Sequence, residues 1–331
     1  MRPDTVAAAR AVADELLFPD AMRVDTLDAV PAAHFDALAA EGLYGASVPA
    51  QAGGLGLDMP TMCAVVEELA GGCLATTFVW LQHRGLSMTL AAPRTPASLR
   101  EVWLGPVCQG KTRGAIALQG IIPGPPQIRA QPDGDGWRLD GAAAWVTGWG
   151  AVDLLLVVAR GPGETLVSLI VDAADQPGLT VTRQHLSAVN ASATVRLRFD
   201  DVRIPAGRVA GQEPFDPAAN LRADRLRING SLALGLALRC TRLLGPGPLD
   251  EELAACRARL DRADGAGEMQ EARGAAAELA VRATAALAVR DGSGSIMADS
   301  HPQRLAREAV FLLVFGSRPG IKSALLRQLG A

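Results

Sequence analysis

The sequence predicts a mainly helical protein with a β-domain in its centre. The chain of 331 residues is rich in Ala and Leu, which favour helices, whereas aromatic residues make up only 4% of it, too few for an all-β sandwich built on aromatic anchors. Near both ends of the chain, apolar residues recur every three or four positions, which is the helical period. Between these regions, apolar and β-branched residues form short runs separated by turns, as in strands.

The N-terminal third of the chain is predicted to be a helical bundle. From Val6 to about Gly110 the apolar residues follow the helical period. Residues Val48–Asp58 interrupt this period with glycines and a proline, so we expect a loop there, followed by a helix over about Met59–Gly71. We therefore predict an N-terminal α-helical domain over residues 1–111.

The rest of the chain divides into a β-region and a second helical region. From about Thr112, apolar and β-branched runs alternate with Gly, Pro and Asp turns, which predicts a middle β-domain over residues 112–214. The runs predicted as strands are GAIAL, GWRLDG, AAWVTG, VDLLLVVAR, TLVSLIVDA, LTVTRQHL and TVRLRFDDVRI. A C-terminal α-helical bundle is predicted over residues 215–331, with the GPGP sequence at Gly245–Pro248 breaking its first two helices. Its helical segments are Leu226–Leu244, Leu249–Ala263, Met269–Val289 and His301–Leu329.

Charge and cysteine content narrow the class of partner. The formal net charge of −3 provides no basic field for nucleic acid or an anionic membrane, so we expect a small-molecule or protein-borne substrate. Charged residues interrupt the N-terminal segment where a signal peptide needs an apolar core, which predicts a cytoplasmic protein. The five cysteines are odd in number and include no CxxC pair, so neither a disulfide framework nor a metal site is expected.

Three strings in order along the chain resemble the acyl-CoA dehydrogenase family. The first is EGLYGASVPAQAGGLGLD followed by VVEELAGGC, which is similar to the family's glycine-rich loop and next helix. The second, DGWRLDGAAAWVTGWGAVDLLLVVAR, is similar to a strand pair around a Trp-Ile-Thr motif, and the third, LRFDDVRIPAGRVAG, to the end of the family's β-domain. The resemblance implies an N-terminal helical bundle, a β-barrel-like middle domain and a C-terminal helical bundle.

The resemblance also implies an activity. Members of this family are FAD-dependent oxidoreductases that oxidise an acyl thioester, here acyl-CoA or an acyl-carrier-protein thioester, between its α and β carbons. A carboxylate takes the α-proton while the β-hydride goes to the flavin. A homodimer or homotetramer is implied as well, together with an electron acceptor such as an electron-transfer flavoprotein.

Some residues expected at the flavin match the family and others depart from it. Trp145 and Thr147 match the family's flavin-contacting Trp and Thr, although a packing Trp and a strand-forming Thr would give the same pattern. Gln119 replaces a family Thr and the following Gly-Ser-Asp element is absent, so backbone groups of Leu118 and Gln119 are expected to bond the flavin. On the adenosine side of FAD, Arg290 lies near the position of the family's glutamine. The family's Arg-x-x-Phe-Gly element has no counterpart in this sequence.

The resemblance leaves the catalytic base in question, because Gly316 stands where the usual glutamate lies. Some members carry the base at the start of the first helix after the β-domain. There Asp224 matches with a one-residue slip, whereas an ungapped count reaches Arg225. Asp224 is equally interpretable as a helix N-cap or first-turn acid. The side chains expected at the substrate pocket are Trp80, Gln82, His83 and Arg225.

Three functions are therefore open on sequence grounds. The first is an FAD-dependent acyl-thioester dehydrogenase with Asp224 as base. The second is a flavin enzyme of other chemistry, such as oxygen activation, which needs no α-proton base. The third is a non-catalytic or hetero-oligomeric subunit that relies on another chain for the missing elements.

Overall fold

The computed structural model describes residues 4–217, 223–316 and 318–331, and it leaves the side chains of residues 223–225 outside this description. Helices come first, then strands, then helices again, which confirms the predicted fold class. No helix in the described residues is both long and apolar enough to cross a membrane. All five cysteines are buried free thiols.

Six helices form the N-terminal region, and the predicted loop separates the third from the fourth. Asp58 caps the fourth helix, since its Oδ1 accepts a hydrogen bond of 2.9 Å from the Thr61 N–H. In the loop, a Cβ on Gly54 would lie 2.2 Å from the Val48 carbonyl oxygen, so no other residue fits there. The helices are α1 (Thr5–Val12), which continues through a π-helical turn at Ala13–Leu17 into α2 (Phe18–Asp25), α3 (Ala32–Ala40), α4 (Met59–Gly72), α5 (Leu74–Ala91) and α6 (Ala97–Cys108).

The central region is an eight-stranded, mostly antiparallel sheet. Its order is β6-β7-β3-β2-β4-β5-β8, with β1 pairing parallel to β4. Two of the strands, β2 and β8, were not predicted, and the two predicted runs GWRLDG and AAWVTG form one strand, β3, with two register shifts against β7. The strands are β1 (Gly114–Ala117), β2 (Ile128–Asp133), β3 (Gly136–Val146), β4 (Leu154–Gly161), β5 (Thr165–Asp172), β6 (Leu179–Arg183), β7 (Val195–Ile204) and β8 (Val209–Pro214).

In the described residues after the sheet, 223–316 and 318–331, the chain forms five helices. The GPGP break is confirmed, because one helix ends at Leu244 and the next begins at Pro248. The prediction of one helix over His301–Leu329 is wrong: the chain turns extended at Phe315 and a new helix begins at Pro319. The helices are α7 (Ala223–Leu244), α8 (Pro248–Arg262), α9 (Gly265–Asp291), α10 (His301–Val314) and α11 (Pro319–Gln328).

The N-terminal and C-terminal helices share one hydrophobic core, while the sheet has its own. A third cluster joins α5 and α6 to the sheet. Helices α4 and α7 approach closely because Gly235 of α7 has no side chain at the crossing. A Cβ on Gly235 would lie 2.5 Å from the Glu67 carbonyl oxygen of α4. The boundaries between the three predicted domains stay a prediction. The two helical regions are packed together on one hydrophobic core.

Buried ion pairs fasten α4 to its neighbours. The Glu67 carboxylate accepts from Arg257 of α8 at 2.9 Å and lies 3.8 Å from Arg227 of α7. Next to it, Glu68 pairs with Arg10 of α1 and with Arg242 of α7, each at 2.7 to 2.8 Å. Both glutamates are buried, so their charges are compensated by these arginines.

Candidate functional site

Helix α5 packs along β1, and His83 joins the two. The Gly114 N–H donates to His83 Nδ1 at 3.0 Å, so Nε2 carries the hydrogen and donates to the Val107 carbonyl oxygen at 3.1 Å. Burial lowers the pKa of His83 to about 3, which keeps the ring neutral. Both ring nitrogens are occupied by backbone groups. His83 thus links α5 to β1, and its place in a substrate pocket stays a prediction.

His83 is expected to make the protein sensitive to acid. Its pKa is about 3 in the folded chain, against a normal value of 6.5, so between these values only the unfolded chain binds the proton. Stability should thus fall as the pH decreases below 6.5, by about 3 kcal/mol at pH 4 from this residue. Urea unfolding of the wild type and of His83→Gln between pH 7 and pH 4 measures the difference.

A second variant separates titration from the lost hydrogen bonds. His83→Phe removes the titrating ring and also its two hydrogen bonds. This variant should be less stable than the wild type at pH 7 but should lose less stability on acidification. An equal loss of stability with decreasing pH in the wild type and in both variants would exclude His83 as the source.

The other two pocket residues predicted on α5 differ in their surroundings. Trp80 is buried, and its Nε1–H donates to the Leu43 carbonyl oxygen at 3.3 Å, so its polar atom is also taken up by the fold. It lines a small internal cavity with His83, Tyr44 and Met62. Gln82 is half-buried, and its Nε2 donates to the Phe78 carbonyl oxygen at 3.0 Å. Of the three predicted α5 residues, Gln82 is the one that reaches partial exposure.

The C-terminal end of β3 presents an exposed ring next to a buried hydroxyl. The Trp145 side chain is 61% exposed although it is large and apolar, whereas Thr147 is buried. The Thr147 hydroxyl lies 3.3 Å from that of Thr194, which in turn lies 2.8 Å from the hydroxyl of Ser192. This end of the strand also touches α5, because a Cβ on Gly148 would lie 3.0 Å from Val79 Cγ1.

Residues Leu118 and Gln119 follow β1, which pairs with β4 and also contacts β3. Gln119 is buried, and its side-chain Oε1 has no hydrogen-bond partner in the described structure. A buried acceptor without a partner costs about 1 to 3 kcal/mol, so a donor from a bound molecule would be favourable there. The sequence indicated backbone contacts at this position and missed the side-chain acceptor.

Arg160 of β4 holds the segment that carries Gln119. Its guanidinium donates to the Gly120 carbonyl oxygen at 2.9 Å and to that of Ile122 at 3.2 Å. Its Cζ also lies 3.4 Å from the centre of the Phe215 ring, which is a close cation–π contact. Arg160 was not predicted as a site residue, although an arginine within the apolar run VDLLLVVAR was the available signal in the sequence.

Three phenylalanines connect α5 to the end of α10. The ring of Phe78 lies edge-on to Phe315 and Phe311, with centroid distances of 4.8 Å and 5.3 Å. Gly316 comes directly after this cluster, in the loop between α10 and α11, with a φ of +56°. Gly316, the position of the family's glutamate by resemblance, therefore lies in a loop next to this cluster of three aromatic rings.

Two nitrogen atoms face the position that a side chain on Gly316 would occupy. A Cβ there would lie 3.7 Å from Arg273 Nη2 and 3.8 Å from Asn229 Nδ2. Arg273 belongs to α9 and Asn229 to α7, so two helices converge on this loop. Neither residue was predicted from the sequence, in which the arginine of the Ala-rich run EARGAAAELA was the available signal.

The remaining predicted site residues lie partly outside the described structure. Asp224 and Arg225 fall in the first turn of α7, and their side chains are among those not described. Arg290 is at the end of α9, where its guanidinium donates to the Leu243 carbonyl oxygen and pairs with Asp291 at 2.6 Å. In the ranges 4–217, 223–316 and 318–331, no three His, Cys, Asp or Glu side chains converge as metal ligands.

Comparisons with known proteins agree with this arrangement. Residues 4–111 match the family model for the acyl-CoA dehydrogenase N-terminal domain. The chain is 29% identical over 238 residues to the mitochondrial short-chain specific acyl-CoA dehydrogenase of Homo sapiens, which covers 69% of this chain and 58% of that protein. The chain thus spans less than two thirds of that relative's length.

Solved structures share the fold over nearly the whole chain. Butyryl-CoA dehydrogenase from Megasphaera elsdenii superposes with a TM-score of 0.83 at 19% identity, covering 99% of this chain and 96% of that one. A glutaryl-CoA dehydrogenase from Mycobacterium smegmatis, solved in complex with FADH2, gives a TM-score of 0.81 at 19% identity, covering 98% and 93%. At such identities the likeness establishes the fold alone.

Proposed function

Because this chain belongs to the acyl-CoA dehydrogenase superfamily, we propose that it is an FAD-dependent oxidoreductase acting on an acyl thioester. Two observations support the proposal: the Trp145 ring at the C-terminal end of β3 is exposed, and the buried Oε1 of Gln119, just after β1, has no partner in the described residues. A planar, hydrogen-bonding ring system would cover the indole and supply the donor that Gln119 lacks. Both features fit the flavin ring.

Each of these residues has a defined task in the proposed site. The Trp145 indole packs against the edge of the ring system, and its exposed area is then removed from water. Gln119 Oε1 accepts a hydrogen bond from a ring N–H, and the Thr147 hydroxyl, steadied by Thr194, donates to a ring nitrogen or oxygen. Bound FAD would supply the redox chemistry of the reaction, the acceptance of a hydride.

The proposed substrate is the thioester of CoA or an acyl-carrier protein. Asp224, in the first turn of α7, is the proposed base for the α-proton, and Gln82 and Arg225 are proposed to contact the substrate. Proposed partners are an electron acceptor such as an electron-transfer flavoprotein and further copies of this chain in a homodimer or homotetramer. A partner chain in a hetero-oligomer is the alternative, because Arg290 is engaged within its own chain.

A flavin enzyme of other chemistry is a second candidate, favoured by the surroundings of Gly316. The two side-chain nitrogens facing this position belong to hydrogen-bond donors, Arg273 and Asn229, and neither can remove a proton from a substrate. A reaction that needs no carboxylate base at this position is compatible with them.

The first experiment tests flavin binding. We expect the purified protein to show flavin absorption bands, and Thr147→Val to weaken FAD binding about tenfold through loss of one hydrogen bond. Thr180→Val is the matched control, because Thr180 is an exposed strand residue far along the chain from this site. A wild-type protein that is colourless and takes up no added FAD would refute the proposal.

The second experiment separates the two chemistries. A dehydrogenase with Asp224 as base should have its flavin bleached by a suitable acyl-CoA, and Asp224→Asn should abolish the bleaching while leaving FAD bound. If flavin is bound but no acyl-CoA series bleaches it, the second candidate is favoured. Bleaching that persists in Asp224→Asn would exclude Asp224 as the base.

A further inference from the structure

We propose that the side chains around Gly316 form a carboxylate-binding site, and that it takes the free carboxyl group of a dicarboxylic acyl thioester. The inference extends the proposed function, because it names the substrate class of the same cleft. It depends on Arg273, on Asn229 and on the absence of a side chain at Gly316.

Arg273 differs from the other buried arginines in what it pairs with. Among the described residues, each of the other four has a carboxylate partner within 2.7 Å, and Arg273 has none. Its Nη2 donates to the Phe315 carbonyl oxygen at 2.5 Å, while its Nε and Nη1 have no partner. The four pairs are Arg160–Glu164, Arg227–Asp261, Arg239–Asp14 and Arg304–Glu308.

A cation in this position requires an anion. Arg273 is only 3% exposed, so water does not solvate its charge. Burial lowers the pKa of the guanidinium to about 10, which leaves it charged at neutral pH. The planar fork of N–H groups on a guanidinium matches a carboxylate in two parallel hydrogen bonds, which makes a carboxylate its best-fitting counter-ion.

Gly316, which carries no side chain, borders this cation. Within 4 Å of a Cβ on Gly316, the nearest atoms outside its own segment are Arg273 Nη2 and Asn229 Nδ2, and Gly316 itself is exposed. An incoming carboxylate would therefore meet donors from two helices, α9 and α7. In the family that the chain resembles, the enzyme's own carboxylate projects from this position, and here the donors are left for a carboxylate of the substrate.

An aromatic cluster borders the same loop. Phe78, Phe311 and Phe315 pack with centroid distances of 4.8 to 5.5 Å and connect the loop to α5. The apolar part of a ligand could pack against these rings while its carboxylate meets Arg273. The ligand class is thus an acyl thioester with a second, free carboxyl group.

The test compares two probes of equal chain length. Succinyl-CoA ends in a carboxylate and butyryl-CoA in a methyl group, and binding of each to the protein as purified is measured by titration calorimetry. We expect succinyl-CoA to bind more tightly by about 10- to 100-fold, the range for a hydrogen-bonded charge pair. Arg273→Met should remove this preference, so that the two esters bind with similar affinity.

A pair of variants at Gly316 tests the site without removing the buried cation. Gly316→Glu supplies an internal carboxylate and should abolish the preference for succinyl-CoA. Gly316→Gln has the same size and the same unfavourable positive φ but no charge, so it should retain part of the preference. If the two variants lose the preference equally, steric blockage explains the loss and the proposal fails.

Free succinate distinguishes the source of the carboxylate. Binding of succinate that depends on Arg273, without binding of either CoA ester, supports the carboxylate site but refutes a thioester substrate. Equal binding of both esters to the wild type leaves the proposed function standing and overturns the carboxylate site. The absence of binding by all three probes also overturns it.

Discussion

Glu308→Ala is expected to lower the free energy of unfolding by about 4 kcal/mol, because it leaves a buried charge without its partner. Arg304 is 1% exposed, and its Nη1 donates to both Glu308 oxygens, at 2.7 Å and 2.9 Å. No other carboxylate pairs with Arg304 in the described residues, and its Nε is already unpartnered. Denaturant unfolding at pH 7 measures the change.

A matched pair on α9 provides the control. Glu278 and Arg282 have the same four-residue spacing within one helix, with a 2.6 Å contact, but their side chains are partly exposed. Glu278→Ala should therefore cost less than about 1 kcal/mol. If the two substitutions have equal effects, burial does not determine the contribution of the pair. Since α10 leads directly to Phe315 and Gly316, Glu308→Ala should also weaken binding at that loop.

Arg160→Ala is expected to destabilise the protein by about 3 kcal/mol and to weaken FAD binding about tenfold. The substitution removes the donors from the carbonyl oxygens of Gly120 and Ile122, and it removes the cation from the ring of Phe215. The segment carrying Gln119 would then lose its anchor to β4. Unfolding in denaturant and titration with FAD measure the two effects.

Two further variants show whether the guanidinium shape is what matters. Arg160→Lys keeps the charge but not the planar fork, so it should recover only part of both losses. Arg138→Ala removes a strand arginine that is partly exposed and lies near Asp140 and Asp201, and it should change neither quantity appreciably. A full recovery by lysine would show that charge alone holds the segment.

The arrangement of helices and strands was predictable where the local signal and the tertiary contacts agree. The period of apolar residues predicted α4 and α7 within a few residues of their observed ends. Strand β2 was not predicted because only Ile128 and Ala130 of its residues are buried, too few to give an apolar strand pattern. The strand is stabilised by its pairing with β3. Such pairing between distant segments leaves no period in the sequence.

The candidate site was predictable only in part. The Trp145 and Thr147 motif was visible as a string of residues, and the structure adds that one side chain is exposed and the other buried. His83 was placed at the substrate because its helix was expected to line the cleft. Which face of α5 points to the cleft depends on its packing against β1, and that packing turns His83 toward the Gly114 backbone.

By itself, the sequence predicted the order of helices and strands, and its resemblance to the acyl-CoA dehydrogenase family put Gly316 at the position of the usual glutamate. Only the tertiary structure brings Arg273, which is remote along the chain, next to Gly316. Only the tertiary structure shows that Arg273, unlike the other buried arginines in the described residues, has no carboxylate beside it. The physical reason is that the state of a buried charge depends on neighbours brought by separate helices, which no local pattern encodes.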